Sequence, residues 1–558
     1  MDSLSDSTQK NPDSELQEKL YLTTKLSYAA GDMGTAITAN ILVFYLLPFL
    51  TNVAGLSPAM AGSVLMIGKI CDAINDPIVG VLSDRTRTVW GRRLPWMLIG
   101  AIPFGLFFLL EWIVPHFSDN QFLNTWLLFG YYVVIGIIFN IAYTAINLPY
   151  TALTPELTQD YNERTNLNSF RFAFSIGSSI ISLILAKLTF SAYENAPEKQ
   201  YFILGLICTI LAVISVFWSV FVIQERGAKP FLNKRQKDFL GKVLLAIALS
   251  LTFYSIIKMV SGTVLISVIT LITNLVVMAF AINLIYSQTE SHLNDENAKQ
   301  IRKKNNTETS LPFLEQLRIA FNNRAFLYVI GIYLCSWLAV QLTASILVYF
   351  VVDWMGLPNE DSPLVALSVQ GTALLLLFFW SIVSEKKGKK VAYFLGTAIW
   401  MTAQAGLFLL QPQQVGLLYV LAILAGCGVS VAYLIPWSMI PDVIELDELK
   451  TGQRREGIFY GFMVLLQKIG LALGLFIVGI ALEISGFINS VAGEAPPIQP
   501  ASALLAIRIA VGPLPTAFLL LGLVLAYFYP ITQEVHGEIR LKLQERKQNN
   551  ALSNPNCR

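Results

Sequence analysis

At 558 residues, 54% of them hydrophobic and 14% charged, with a mean hydropathy of +0.58, the chain is too apolar for an ordinary soluble protein, and lipid is its natural solvent. The net charge of +2 is small and the basic residues fall in short loops, which argues against a nucleic-acid-binding face. Five scattered cysteines without CxxC spacing predict neither a disulfide framework nor a zinc site.

Residues 1–26 form a polar, acidic tail that lacks the basic start and apolar core of a secretory signal. A helix crossing the hydrocarbon core needs about 20 mostly apolar residues. Six such runs follow, near 27–52, 57–82, 94–114, 123–152, 167–189 and 201–224, and predict an N-terminal six-helix bundle over 27–224. Residues 225–324 are a linker that carries two further apolar runs, 239–257 and 262–286. Their length favours a transmembrane hairpin (239–286) over an interfacial segment. Six more runs, near 325–353, 361–384, 389–411, 414–440, 456–485 and 503–530, predict a C-terminal bundle over 325–530, and residues 531–558 are a tail. The fold class is an all-α, polytopic membrane protein of two six-helix bundles plus a two-helix insertion.

Lys and Arg accumulate in cytoplasmic loops. Arg85, Arg87, Arg92 and Arg93 follow the second run, and Lys386, Lys387, Lys389 and Lys390 follow its counterpart in the later set, whereas TNVAGLSPA, PHFSDNQFLNT and DWMGLPNEDS contain neither residue type. Both termini are therefore expected in the cytoplasm, with the chain in the cell membrane. KQIRKK after the hairpin fits an insertion that leaves and returns on that side. The halves also echo each other: LPYTALTPEL from Leu148 is answered by IPWSMIPDVI from Ile435, as in transporters assembled from two related repeats.

The second run, SVLMIGKICDAINDPIVGVLSD, places Lys69, Asp72, Asn75 and Asp76 inside an apolar segment. Positions i, i+3 and i+4 share a helical face, so two carboxylates and an amide oxygen converge. Each charge near the bilayer centre costs at least about 2.5–3.5 kcal/mol on insertion scales, and a bound cation would offset it. Oxygen ligands without His or thiolate point to sodium, lithium or a proton and away from a transition metal. The competing reading is an ion pair between Lys69 and an aspartate. Pro77 predicts a helix opened beside the cluster. On the fourth run, Thr144 and Asn147 stand one turn apart, and Lys468 lies in MVLLQKIGLALGLF with no acid in its own span, so it needs a partner elsewhere. Asp84, Arg85, Arg92 and Arg93 predict either a cytoplasmic charge latch between the halves or simply the positive-inside bias. The three histidines, His116, His292 and His536, fall in predicted loops or tails, and no hydrolase or phosphate-loop motif accompanies them; the chain does not read as an enzyme.

Several separated motifs, LTTKLSYAAGD from Leu22, DAINDPIVGVLSDRT from Asp72, NLPYTALTPELTQDYNER from Asn147 and PWSMIPDVIELDELKTGQRREG from Pro436, resemble the glycoside-pentoside-hexuronide:cation symporters, the melibiose-permease-like branch of the major facilitator superfamily. The resemblance covers nearly the whole chain outside the hairpin. It implies twelve core helices around a midplane site worked by alternating access. By resemblance, Asp72, Asn75, Asp76 and Thr144 bind sodium or a proton, and Lys468 and Arg171 match a coupling lysine and a sugar-binding arginine. The sugar side departs from the melibiose pattern: Ala36 and Asn147 stand where that pattern has aspartates. Asp32, one turn before Ala36, could take over one contact, and Asn147 can still bond a hydroxyl. The motif NLPYTALT is also similar to the animal sodium-dependent lysophospholipid symporters. The expected function is thus cation-coupled uptake of a sugar or glycoside by a monomer without cofactors. The alternatives are a lysophospholipid as substrate, or a non-transporting sensor or scaffold of the same fold.

Overall fold

A backbone immersed in lipid must satisfy its hydrogen bonds internally. In the computed structural model the described residues do so as helices, apart from one isolated bridge between Thr88 and Gly91. The structure describes residues 20–158, 161–194, 196–225, 228–260, 264–287, 313–452, 456–489 and 497–553. Most of the N-terminal tail, the basic KQIRKK stretch, His292 and Cys557 lie outside them.

Six helices form the first bundle: α1 (Leu22–Asn52), α2 (Pro58–Arg85), α3 (Leu94–Leu110), α4 (Gln121–Thr151), α5 (Tyr161–Ala192) and α6 (Pro197–Val222). The predicted hairpin is present as α7 (Lys234–Val260) and α8 (Val264–Tyr286). A short helix, α9 (Phe313–Asn322), leads into α10 (Arg324–Trp354), α11 (Ser362–Lys387), α12 (Lys389–Leu409), α13 (Val415–Thr451), α14 (Glu456–Ile484) and α15 (Ala501–Phe528), and α16 (Gln533–Ser553) follows. Among the described residues twelve helices are long and apolar enough to cross a membrane. Helix α3 is apolar but shorter, with 17 residues, and α2, 28 residues long, carries Lys69, Asp72 and Asp76 at its centre.

The proline expectation is corrected. Helix α2 runs unbroken through Pro77, because a proline costs its helix one hydrogen bond and a local kink but not the helix itself once neighbouring helices pack around it. Helix α13 likewise continues through Pro436 and Pro441.

Within the first bundle α1 packs on α5 and α6, and α2 packs on α4; in the second, α13 packs on α11 and α12, and α10 on α14 and α15. The hairpin belongs to the first bundle. Asn283 of α8 accepts a bond from Ser27 Oγ (3.1 Å) and donates to the Thr23 carbonyl (3.2 Å) on α1, and Phe280 stacks on Trp218 of α6 at 5.8 Å. The outer helix α7 turns Phe239 and Phe253 outward, 70% and 67% exposed.

The bundles meet chiefly along α2 with α14 and α5 with α11. Toward the face opposite the chain termini they are bonded together. Tyr349 and Thr51 share a 2.7 Å hydrogen bond, Lys187 pairs with Asp361 at 3.1 Å, and Glu483 accepts from the Ala59 amide at the start of α2 (3.2 Å). There Gly62 and Gly479 let the two backbones touch: a Cβ on Gly479 would stand 2.4 Å from the Pro58 carbonyl oxygen.

Candidate functional site

Helices α2 and α4 cross closely enough that a Cβ on Gly68 would meet Asn140 Nδ2 at 3.0 Å. This approach sets Thr144 against the two aspartates. Thr144 Oγ1 lies 2.7 Å from Asp72 Oδ1 and 3.1 Å from Asp76 Oδ1; its single proton serves one carboxylate at a time. From the other bundle, Lys468 on α14 brings its ammonium to 3.0 Å from Asp72 Oδ2 and 2.6 Å from Asp76 Oδ2. Asp72 is 1% exposed and Asp76 20%, so the cluster is desolvated, and paired charges are the arrangement such an interior tolerates. The partner that the sequence demanded for Lys468 is this pair.

Asn75 stands apart from the bonds of this cluster. Its Nδ2 is buried without a hydrogen-bond partner, so helical spacing placed it one turn from Asp72 but the side chain has no described contact with either carboxylate. Lys69 is held mainly by Asn140 Oδ1 (3.0 Å), with Asp72 Oδ2 at 3.8 Å. The ion-pair reading of Lys69 is therefore a looser contact than the one Lys468 makes.

The expected substrate-side residues form a second cluster in the first bundle. Arg171 on α5 addresses Asp32 on α1 with Nε at 3.2 Å from Oδ2 and Nη2 at 3.4 Å from Oδ1, and its guanidinium lies 5.4 Å from the Tyr150 ring centroid, within cation–π range. Tyr150 donates to the Tyr28 carbonyl (2.7 Å) and its ring stacks on Tyr28. Asn147 is half-buried, one turn beyond Thr144. An acid and a guanidinium so placed can accept from and donate to hydroxyl groups.

The residues expected to form a charge latch make their described contacts within the first bundle. The left-handed Gly91 (φ +110°) folds the loop back so that Arg93 pairs with Asp84 and donates to Ser83 Oγ. Glu225, just after α6, accepts from the amides of Arg92, Arg93 and Leu94 at 2.7 Å each, capping the positive end of α3. Arg85 is exposed. These contacts tie the α2–α3 turn to the end of α6 within the first bundle. The second bundle has an analogous tie, Lys389 on α12 to Asp442 on α13 at 2.7 Å, with His536 of α16 bonded to Glu445 at 2.8 Å. Sequence reasoning did not single out Glu225, Asn140 or Glu111, a buried acid at the end of α3. The acid in the run LFFLLEWIVPHF was the signal for the last.

The MFS/sugar transport protein family model matches residues 27–245 and 238–533. An uncharacterized symporter of Synechocystis is 60% identical over 96% of this chain and 99% of its own length. The sodium-dependent lysophosphatidylcholine symporter 1 of Gallus gallus is 26% identical over 97% of this chain and 92% of its own. The inward-open xylose transporter XylE of E. coli superposes with a TM-score of 0.52 at 12% identity, covering 93% of this chain and 98% of that one, a likeness of fold. Relatives and fold are those of transporters, and the chain belongs to the MFS/sugar transport protein family as a multi-pass symporter of the major facilitator type.

Proposed function

We propose that this symporter, of the melibiose-permease-like branch, couples inward sodium movement to uptake of a sugar or glycoside across the cell membrane, as a monomer with both termini in the cytoplasm. The observation that carries the reading is the Lys468 ammonium held between Asp72 and Asp76. A lysine from one bundle occupies, on two carboxylates of the other, the place a transported cation would take. Asp72, Asp76 and Thr144 supply the oxygens, and Asn75 completes the set by rotating its amide toward them. Sodium entry displaces the ammonium, which releases the bond across the bundles and frees Lys468 to meet the substrate. Asp32, Arg171 and Asn147 then address substrate hydroxyls. One charge crossing 100 mV gains about 2.3 kcal/mol, or roughly fifty-fold accumulation per ion. Oxygen ligation and the sodium dependence named for the animal relative favour sodium over a proton.

A lysophospholipid substrate is the second reading. It is favoured by the 26% identity to the sodium-dependent lysophosphatidylcholine symporter 1 of Gallus gallus over 97% of this chain. Proteoliposomes separate the possibilities. Sodium-driven counterflow of labelled glycosides supports the first reading, and counterflow of lysophosphatidylcholine alone supports the second. Uptake that follows an imposed proton gradient and ignores sodium overturns the choice of ion, and flux of neither substrate class favours a sensor or scaffold.

A further inference from the structure

Glu111 sits at the end of α3, 4% exposed, with Oε2 buried and without a hydrogen-bond partner. A buried, unpartnered carboxyl in an apolar bundle is costly, and structural packing gives no reason for it here. Its surroundings lead to the cation cluster. Its Oε1 lies 3.8 Å from where a Cβ on Gly136 would be, and Gly136 accepts from Asn140 Nδ2 at 2.7 Å. Asn140 Oδ1 in turn holds the Lys69 ammonium at 3.0 Å. Lys69 is the positively charged group whose field reaches Glu111, and the phenols of Tyr131 and Tyr132 are its other titratable neighbours. Lys69 thus touches Asn140 and Asp72 and lies within the electrostatic reach of a second acid, Glu111.

We infer that Glu111 is a positioning residue that receives the Lys69 ammonium when a cation enters the Asp72–Asp76 pair. The inference rests on the cation site proposed above. Displacing Lys468 alone leaves a second positive charge, Lys69, 3.8 Å from an oxygen of Asp72, and a cation that shares this carboxylate with Lys69 is repelled by it where water is excluded. Asn140 can hold Lys69 but carries no charge to compensate it. Glu111, at the end of α3 and packed beside Gly136 one turn before Asn140 on α4, is the acid placed to supply that charge. Lys69 then moves away from Asp72 as sodium arrives, and returns when it leaves.

The test is sodium binding to the purified full-length chain in detergent, read by titration calorimetry without substrate. Glu111→Gln should weaken sodium binding about tenfold, the size of an ordinary coupling between sites. Lys69→Gln removes the competing charge and should bind sodium more tightly than the wild type. In the Lys69→Gln background, Glu111→Gln should have no further effect. Equal weakening in both backgrounds, or none in either, overturns the inference. If Glu111→Gln does not yield folded protein, Glu111→Asp carries the same comparison: a sodium affinity nearer the wild type that becomes indifferent to position 111 once Lys69 is gone supports it, and an unchanged loss in the Lys69→Gln background overturns it. Asp76→Asn is the separate control. Sodium binding that survives it removes the cation site itself, whatever position 111 does.

Discussion

The Lys468 ammonium lies 2.6 Å from Asp76 Oδ2, a bond that spans 392 positions of sequence and joins one bundle to the other. At the proposed site a cation would compete with this lysine for the same oxygens. Lys468→Ala is therefore expected to tighten sodium binding about tenfold while abolishing sodium-driven accumulation, since the competitor and the coupling device are one group. Calorimetry and uptake on the same preparation check the split; loss of both would show the lysine to be structural.

Thr144 reaches both aspartates with one hydroxyl. Thr144→Val keeps the shape and deletes the oxygen, and should weaken sodium binding by about 1–2 kcal/mol, the range of a hydrogen bond to a charged group. Thr144→Ser should stay within about threefold of the wild type. Equal effects of the two substitutions would rule out a ligand role.

Asp32 and Arg171 are a mostly buried pair. Removing one partner strands the other, so Arg171→Gln should destabilise the chain by about 3–5 kcal/mol, visible as a lower melting temperature in detergent. The double variant Asp32→Asn with Arg171→Gln should recover most of that stability yet still fail to take up substrate. Recovery of uptake along with stability would remove the pair from the substrate site.

Gly479 touches the start of α2 where a Cβ would meet the Pro58 oxygen at 2.4 Å. That oxygen is backbone and cannot move aside cheaply. Gly479→Val should hold the bundles apart at the face opposite the termini and reduce uptake at least about tenfold, with the lost closure appearing as a longer distance between spin labels on α2 and α14. An unchanged distance with normal uptake would refute the role given to this crossing.

The fold was legible because lipid imposes a simple rule: long apolar runs between charged loops are helices, and the fourteen expected runs are present. Even α2, which carries three charges at its centre, was visible from its flanks. The cation cluster was half legible. Spacing placed Asp72 and Asp76 on one face, and the lone charge of Lys468 announced that a partner existed without saying which. Asn75 shows the limit, since sharing a face with Asp72 did not decide its rotamer. Pro77 shows another, because packing by neighbouring helices overrode a local preference. Asn140 and Glu111 were hidden for a different reason: each is an isolated polar residue in an apolar run, and only the crossing of α2, α3 and α4 assembles them around Lys69.

Asn283 and Phe280 fasten α8 to α1 and α6, so any movement of the first bundle would take the hairpin with it. In a rocking-bundle cycle α7 and its outward phenylalanines would be carried through the surrounding acyl chains, like an outrigger moving with its hull. Turnover would then depend on membrane thickness and fluidity, and the first bundle would be the half held back by lipid.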